Sequence, residues 1–241
     1  MSGPVISCLH ATKGRPEKAL ATMSLWAERA TNPEQIEYVL AWERSDEAST
    51  AHFDAVIPTL QVPWIGGSVM AIRGAFNGSA PAWNAAYQAS MGLFLIQVSD
   101  DLECPQDWDL ALLGRLPTGW ETENHVIAVS DGLRRDRLMC HAMCTRAYAD
   151  QKGEFLHPGY RGVFSDDEYS YIARRDAANG NCNIIEARDL LFLHRHHCAN
   201  PEVPEDQTYR DQNSKEAYDA GRKLFIKRNP HAHGRDAKLW M

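Results

Sequence analysis

The chain has 241 residues, 44% of them hydrophobic and 24% charged, and carries a net charge of −7. That balance suits a globular chain with a sizeable core, and its acidity argues against a protein whose main task is gripping a phosphate backbone. No apolar run approaches the roughly 20 residues of a membrane span, and the start lacks the basic region and long apolar core of a secretion signal, so a cytoplasmic protein is expected.

The segment "PVISCL" (4–9) is a short β-favouring apolar run and reads as the first strand. Gly14 and Pro16 mark a loop after it, and Pro16 suits the first turn of a helix, in which Ala19, Met23, Trp26 and Ala30 recur at helical spacing. A second strand, "IEYVLAW" (36–42), runs into Glu43, Arg44, Ser45 and Asp46. "VPWIGG" (62–67) and "VMAIRG" (69–74) form a third strand region, and "SAPAWNAAYQASMG" (79–92) is a helix with Pro81 near its start and Gly92 at its end. The fourth strand, "LFLIQVS" (93–99), passes without a turn residue into Asp100 and Asp101.

Strands alternating with helices predict an α/β fold with a mostly parallel sheet, and continuous apolar strands suit a sheet covered on both faces. In such sheets ligands bind beyond the carboxyl ends of the strands. The polar clusters at 10–15, 43–47 and 99–103 all fall at those ends. The second half is less regular. "HVIAVSDG" (125–132) is a strand and turn, 135–153 is compatible with strand or helix, and 162–180 is a loop followed by a helix capped by Ser165, with Gly180 after its end. "CNIIEA" (182–187) and "LLFLHRHH" (190–197) are two short strands, and the tail holds Arg222, Lys223, Lys227, Arg228, Arg235 and Lys238. A solvated helix is the expectation for that tail; contact with DNA phosphates or another anionic acceptor is the alternative. Six cysteines stand at 8, 104, 140, 144, 182 and 198 without a CxxC pair, so reduced structural thiols are expected.

Four constellations carry chemistry. Two adjacent acids at the end of a buried strand, Asp100 and Asp101, suit a hard divalent cation bearing a phosphate; a solvated helix-capping turn is the plain alternative. His194 and His196 would share one face of a strand as half of a metal site, or be ordinary strand histidines. Asp166, Asp167 and Glu168 open a helix, where the dipole stabilises a carboxylate; they could be caps or hold a general base. Asn77 and Asn84 could line a sugar or phosphate site beside Trp83, and Thr12, Lys13 and Arg15 form a basic loop able to meet a diphosphate. There is no GxxxxGK[ST], GxGxxG or GxSxG, which speaks against P-loop, dinucleotide-oxidoreductase and nucleophile-elbow chemistry.

Taken in order, these pieces resemble the GT-A-fold nucleotide-sugar glycosyltransferases of the large inverting family-two type, over residues 4–200. "ISCLHATKGRP" is similar to the family's first strand and Arg-containing loop. "AWERSDEAS" is similar to its base-contacting loop. Asn77, Ala82, Asn84, Ala85, Ala89 and Gly92 match its "N…A.N.A...A.G" helix. "VSDDLECPQDW" is similar to its DxD segment, reduced here to Ser-Asp-Asp, and "SDDEYSYIARR" to its "ED.E(L)..R", with Ser165 in place of Glu. The resemblance implies a single GT-A-like, Rossmann-like domain over residues 1–200 with 201–241 as a C-terminal extension packed on it. It further implies Mn²⁺ or Mg²⁺ held by Asp101, Asp100 and His194 or His196, and a donor such as a UDP-sugar met by Thr12, Arg15, Glu43, Asp46, Asn77, Asn84 and Asp100. Asp166, with Asp167 second, would be the base of an inverting transfer to a saccharide, a glycoconjugate or a modified DNA base. A non-catalytic nucleotide-sugar binding module, and a metal-dependent hydrolase built on His194 and His196, are the competing readings.

Overall fold

The computed structural model describes residues 3–57, 68–197, 202–203 and 205–232. The chain runs β1 (Ile6–Thr12), α1 (Pro16–Glu28), β2 (Ile36–Glu43), α2 (Glu47–Val56), β3 (Ser68–Gly74), α3 (Ser79–Ala89), β4 (Phe94–Val98), β5 (Leu102–Glu103) and α4 (Trp108–Leu113). It continues through β6 (His125–Ser130), β7 (Met143–Thr145), α5 (Arg146–Lys152), α6 (Ser165–Ala178), β8 (Asn183–Leu191), β9 (Leu193–His194), α7 (Gln207–Gln212) and α8 (Lys215–Arg228).

Seven strands form one sheet in the order β3-β2-β1-β4-β7-β6-β8. Its strands are parallel except β7, which is antiparallel to both β4 and β6. Every residue of β1 and β4 is buried, because each strand lies inside the sheet with helices on both faces. Alternate residues supply two cores. Leu9, Val39 and Leu95 share one with Trp83 and Tyr87 of α3. Cys8, Tyr38 and Ile96 share the other with Trp26, Trp108 and Phe192. The indoles of Trp26 and Trp108 meet edge to face at 4.8 Å, and each spends its N–H on a backbone carbonyl.

The far end of the sheet, away from the polar clusters, is tied by a buried carboxylate. Glu37 accepts from Ser7 Oγ (2.5 Å), from the backbone N–H of Gly92 (2.7 Å) and from that of Met91. A Cβ on Gly92 would lie 2.4 Å from Ser7 Oγ, which explains the glycine between α3 and β4.

Several expectations are corrected. The undecided stretch 135–153 holds both a strand, β7, and a helix, α5. The two strands expected at 182–187 and 190–197 are instead one long strand, β8, followed by the two-residue β9, so His196 lies beyond any strand and the shared-face argument for His194 and His196 does not apply. Ser165 is the first residue of α6 rather than its cap; its hydroxyl donates to the Gly162 carbonyl at 2.6 Å, and Phe164 (φ 70°) makes the turn into the helix. The expected strand at 62–67, Cys198, Arg235 and Lys238 lie outside the described residues. The five described cysteines are free thiols. Among the described residues no helix is long and apolar enough to cross a membrane.

Candidate functional site

The site begins where β1, β2 and β4 end. His10, fully buried on β1, bonds Tyr38 through Nδ1 (2.5 Å) and the Asp100 carboxylate through Nε2 (2.9 Å). Thr22 donates to the Asp100 carbonyl at 2.9 Å, and an Arg15 nitrogen stands 3.8 Å from the Asp100 carboxylate. Asp100 is therefore held by the fold. Its neighbour Asp101 points the other way, accepting from Ser99 Oγ at 2.7 Å and meeting His194 Nε2 at 3.4 Å.

That second meeting is a consequence of backbone pairing. β5, directly after the two acids, pairs antiparallel with β9, Leu102 opposite His194 and Glu103 opposite Leu193. The Arg195 N–H bonds the Asp101 carbonyl at 2.7 Å, and the His194 N–H bonds the Asp131 carbonyl at 3.0 Å. Burial works to raise the Asp101 pKa, but the bonds from His194 and Ser99 outweigh it and hold the carboxyl well below the usual range. Burial works in turn to lower the pKa of His194, and Asp101 outweighs it, so the imidazole is raised.

Across a cavity of about 520 Å³ stand Asp166 and Asp167, at the start of α6. Burial pushes Asp166 up against the lowering effect of the free N–H groups of the helix end. Burial and the adjacent Asp166 push Asp167 up to about 7. Asp131, which accepts from the N–H groups of Leu133 and Arg134, lines the same cavity. His141 lines it too, 5% exposed, with no hydrogen-bond partner on either ring nitrogen; burial and His194 push its pKa down to about 3.

A second cavity of about 410 Å³ shares Asp100 and Ser79 with the first and is lined by Thr12, Lys13, Glu43, Phe76 and Asn77. Lys13 and Glu43 form an ion pair at 2.6 Å that lowers the Glu43 carboxyl. A loop junction lines the smaller cavity. Gly78 adopts φ 112°, and any Cβ there would fall 2.3 Å from the Arg161 carbonyl, so only glycine lets the turn before α3 close on the turn before α6. The C-terminal segment completes the walls. Asp206 takes two bonds from Arg15, at 2.7 and 2.6 Å, and Thr208 bonds the Lys13 carbonyl at 2.8 Å.

Of the residues singled out by sequence, Thr12, Arg15, Glu43, Asn77, Asp100, Asp101, Asp166, Asp167, His194 and His196 line one or both cavities. Two do not. Asp46 caps α2 through the Ser49 N–H (3.1 Å) and takes the Gly14 N–H (2.6 Å), so it shapes the Lys13–Arg15 loop. Asn84 is buried and spends both ends of its amide on Ala80, Phe155 and Leu156. The His196 ring lies 5.0 Å from those of both His194, edge to face, and Tyr209, tilted. His10 and His141 were not singled out. His10 opens the 10–15 polar cluster and was legible there; His141 sits in "MCHAMC", where flanking apolar residues mask it.

Among the described residues no three His, Cys, Asp or Glu side chains already enclose one point as a metal cage. The donor set nonetheless fits a divalent cation such as Mn²⁺, which accepts imidazole beside carboxylate and leaves positions for phosphate and water. Asp101 is held charged, His194 offers an imidazole beside it, and His141, with both ring nitrogens unpartnered, meets the His194 ring edge on.

No protein-family model matches the sequence, and no curated protein matches it either. Solved structures do match. The mannosyltransferase PcManGT from Pyrobaculum calidifontis, in complex with GDP-Man and Mn²⁺, superposes with a TM-score of 0.60 at 11% identity over 99% of this chain and 79% of that one. TarS 1–349 of S. aureus with UDP gives 0.56 at 11% identity over 78% of this chain and 59% of that one. TarS 1–349 with UDP-GlcNAc gives 0.53 at 10% identity over 98% and 76%. The fold is GT-A-like. At this identity the likeness concerns the fold, a single α/β domain whose seven-stranded, mostly parallel sheet is flanked by helices.

Proposed function

We propose that the chain is a metal-dependent glycosyltransferase that moves a sugar from a nucleoside diphosphate donor to an acceptor hydroxyl of a saccharide or glycoconjugate, with inversion. The observation that carries the reading is a pair of opposed acids across one cavity: Asp101, held ionised beside His194, faces Asp166 and Asp167, held toward protonation. Two acid sites with oppositely shifted pKa values are the expected signature of separate chemical roles. Supporting the reading are the GT-A-like fold and the nucleotide sugars and Mn²⁺ in the named complexes of its structural neighbours.

On this reading the nucleoside occupies the smaller cavity against Thr12, Glu43 and Asn77, and the diphosphate lies over Asp100 and Arg15. Asp101 and His194 would hold Mn²⁺ or Mg²⁺, which when bound supplies Lewis-acid stabilisation of the departing diphosphate. Asp166 accepts the proton of the acceptor hydroxyl as that oxygen attacks the anomeric carbon from the face opposite the leaving group. Asp167 raises the basicity of Asp166 by sharing its site, in the manner of two carboxylates with one proton between them. The C-terminal segment, fastened to Arg15 through Asp206, covers the donor and limits water access.

The test is a panel of UDP-, GDP-, CDP- and dTDP-sugars, with and without Mn²⁺, read by thermal shift and by release of free nucleoside diphosphate. Stabilisation and release are expected with one nucleotide and a divalent ion together. If no donor stabilises the chain and none is turned over, the reading fails.

A further inference from the structure

His141 lies in the loop leading into β7, and the segment after it pairs with β4, since Met143 is opposite Ile96. Its position is therefore set by the middle of the sheet. An imidazole has two ring nitrogens to satisfy, and a buried polar atom without a partner costs about 1–3 kcal/mol. Both nitrogens of His141 are covered and unpartnered. A side chain needed only for packing would not bring that cost.

The geometry indicates what would relieve it. The His141 and His194 rings meet edge on, with centroids 5.0 Å apart and planes at 74°. Two imidazoles on one cation, with nitrogens about 2.1 Å from it and a ring radius of roughly 1.1 Å, have centroids about 4.5 Å apart at a right angle and about 5.2 Å apart at the tetrahedral angle. The observed separation falls between these values. His194 in turn meets Asp101 at 3.4 Å. His196 also lies 5.0 Å from His194, but its ring packs on Tyr209, on the side of the C-terminal segment.

We propose that His141 is a third protein ligand of the cation, joining Asp101 and His194. The proposal rests on the cation-and-diphosphate reading of the cavity. It supplies from a distant part of the chain the donor that the Ser-Asp-Asp segment lacks, since Asp100 is occupied by His10 and Arg15. The three side chains do not enclose one point as they stand, so to hold a cation together Asp101 and His194 would have to part from their 3.4 Å contact. Two imidazoles with one carboxylate form a borderline donor set on which a first-row transition ion, even Mn²⁺ at the weak end of that series, binds better than Mg²⁺, which is served by oxygen ligands. The predicted metal class is thus a transition ion, with Mg²⁺ a poor substitute.

Mn²⁺ titration followed by electron paramagnetic resonance, without nucleotide and then with UDP or GDP, tests this. His141→Gln is the main variant, because it keeps polarity and approximate size, and a cooperative melt checks its fold; His141→Ala is the second. Expected are Mn²⁺ affinity at least about tenfold weaker in both variants and a reduced preference for Mn²⁺ over Mg²⁺. Spin-echo modulation of bound Mn²⁺ counts imidazole nitrogens directly: two in the wild type and one in His141→Gln. Unchanged affinity and an unchanged nitrogen count in the variants would overturn the proposal while leaving the cation reading standing. Unchanged Mn²⁺ binding in Asp101→Ala as well would bring down both.

Discussion

The two walls of the larger cavity treat their acids in opposite ways. On the strand-end wall, Asp100 is fixed by a buried His10–Tyr38 chain and Asp101 is kept ionised by His194 and Ser99. On the helix wall, Asp166 and Asp167 sit side by side; burial drives both toward protonation, joined at Asp167 by the charge of its neighbour. Neighbouring carboxylates thus acquire different chemistry from what surrounds them: a histidine and a hydroxyl on one side, a second carboxylate on the other. A charged wall suits a cation, and a wall that titrates near neutrality suits proton transfer.

Four experiments would break or sharpen that contrast. Asp101→Ala is expected to do most damage, abolishing metal-dependent turnover and Mn²⁺ binding together; calorimetry and a nucleotide-release assay read both. Asp166→Asn should reduce kcat by about 10²–10⁴, the usual worth of a positioned base, with donor KM little changed. Equal loss of Mn²⁺ binding in this variant would erase the distinction between the walls.

Asp167→Asn should move the pH dependence. With Asp166 raised by burial and Asp167 titrating at about 7 beside it, activity of the wild type rises with pH as the pair loses its protons, and removing the Asp167 charge shifts that rising limb downward. Stability follows with the opposite sign. A carboxyl whose folded pKa lies above its unfolded value costs nothing below about pH 4 and destabilises progressively as pH rises through the folded pKa. Asp167→Asn should therefore melt higher than the wild type at pH 8 and equal to it near pH 4, by calorimetry. The smallest effect is expected at the C-terminal closure. Asp206→Ala should raise donor KM by less than about tenfold and weaken with added salt, as befits a partly exposed ion pair, while Arg15→Ala should cost more because it also faces Asp100.

Much of the fold could be read before it was seen, for a specific reason. Strands buried on both faces are continuous apolar runs, and β1, β2 and β4 announce themselves in that way. The polar clusters after them mark the ligand end of the sheet, so Thr12, Glu43, Asp100 and Asp101 were legible. The pairing of β5 with β9 was not, because it joins residues 102–103 to 193–194 and leaves no local periodicity. Asn84 illustrates the opposite failure: a polar residue on a helix facing the sheet looks like a ligand contact until its four internal hydrogen bonds are seen. Asp46 likewise serves a helix cap and a loop amide, which composition cannot distinguish from nucleotide binding.

The reversed strand β7 has a consequence for the order of synthesis. By residue 98 the ribosome has delivered β1, β2, β3 and β4, a parallel set whose mutual pairing needs nothing further. The remaining edge of β4 finds its partner only when Met143–Thr145 arrives, and α6, carrying Asp166, comes later still. During that interval a mostly apolar strand presents an open ladder, the condition under which nascent chains attract chaperones or one another. Chaperone supply during that interval should therefore raise the soluble yield of this chain.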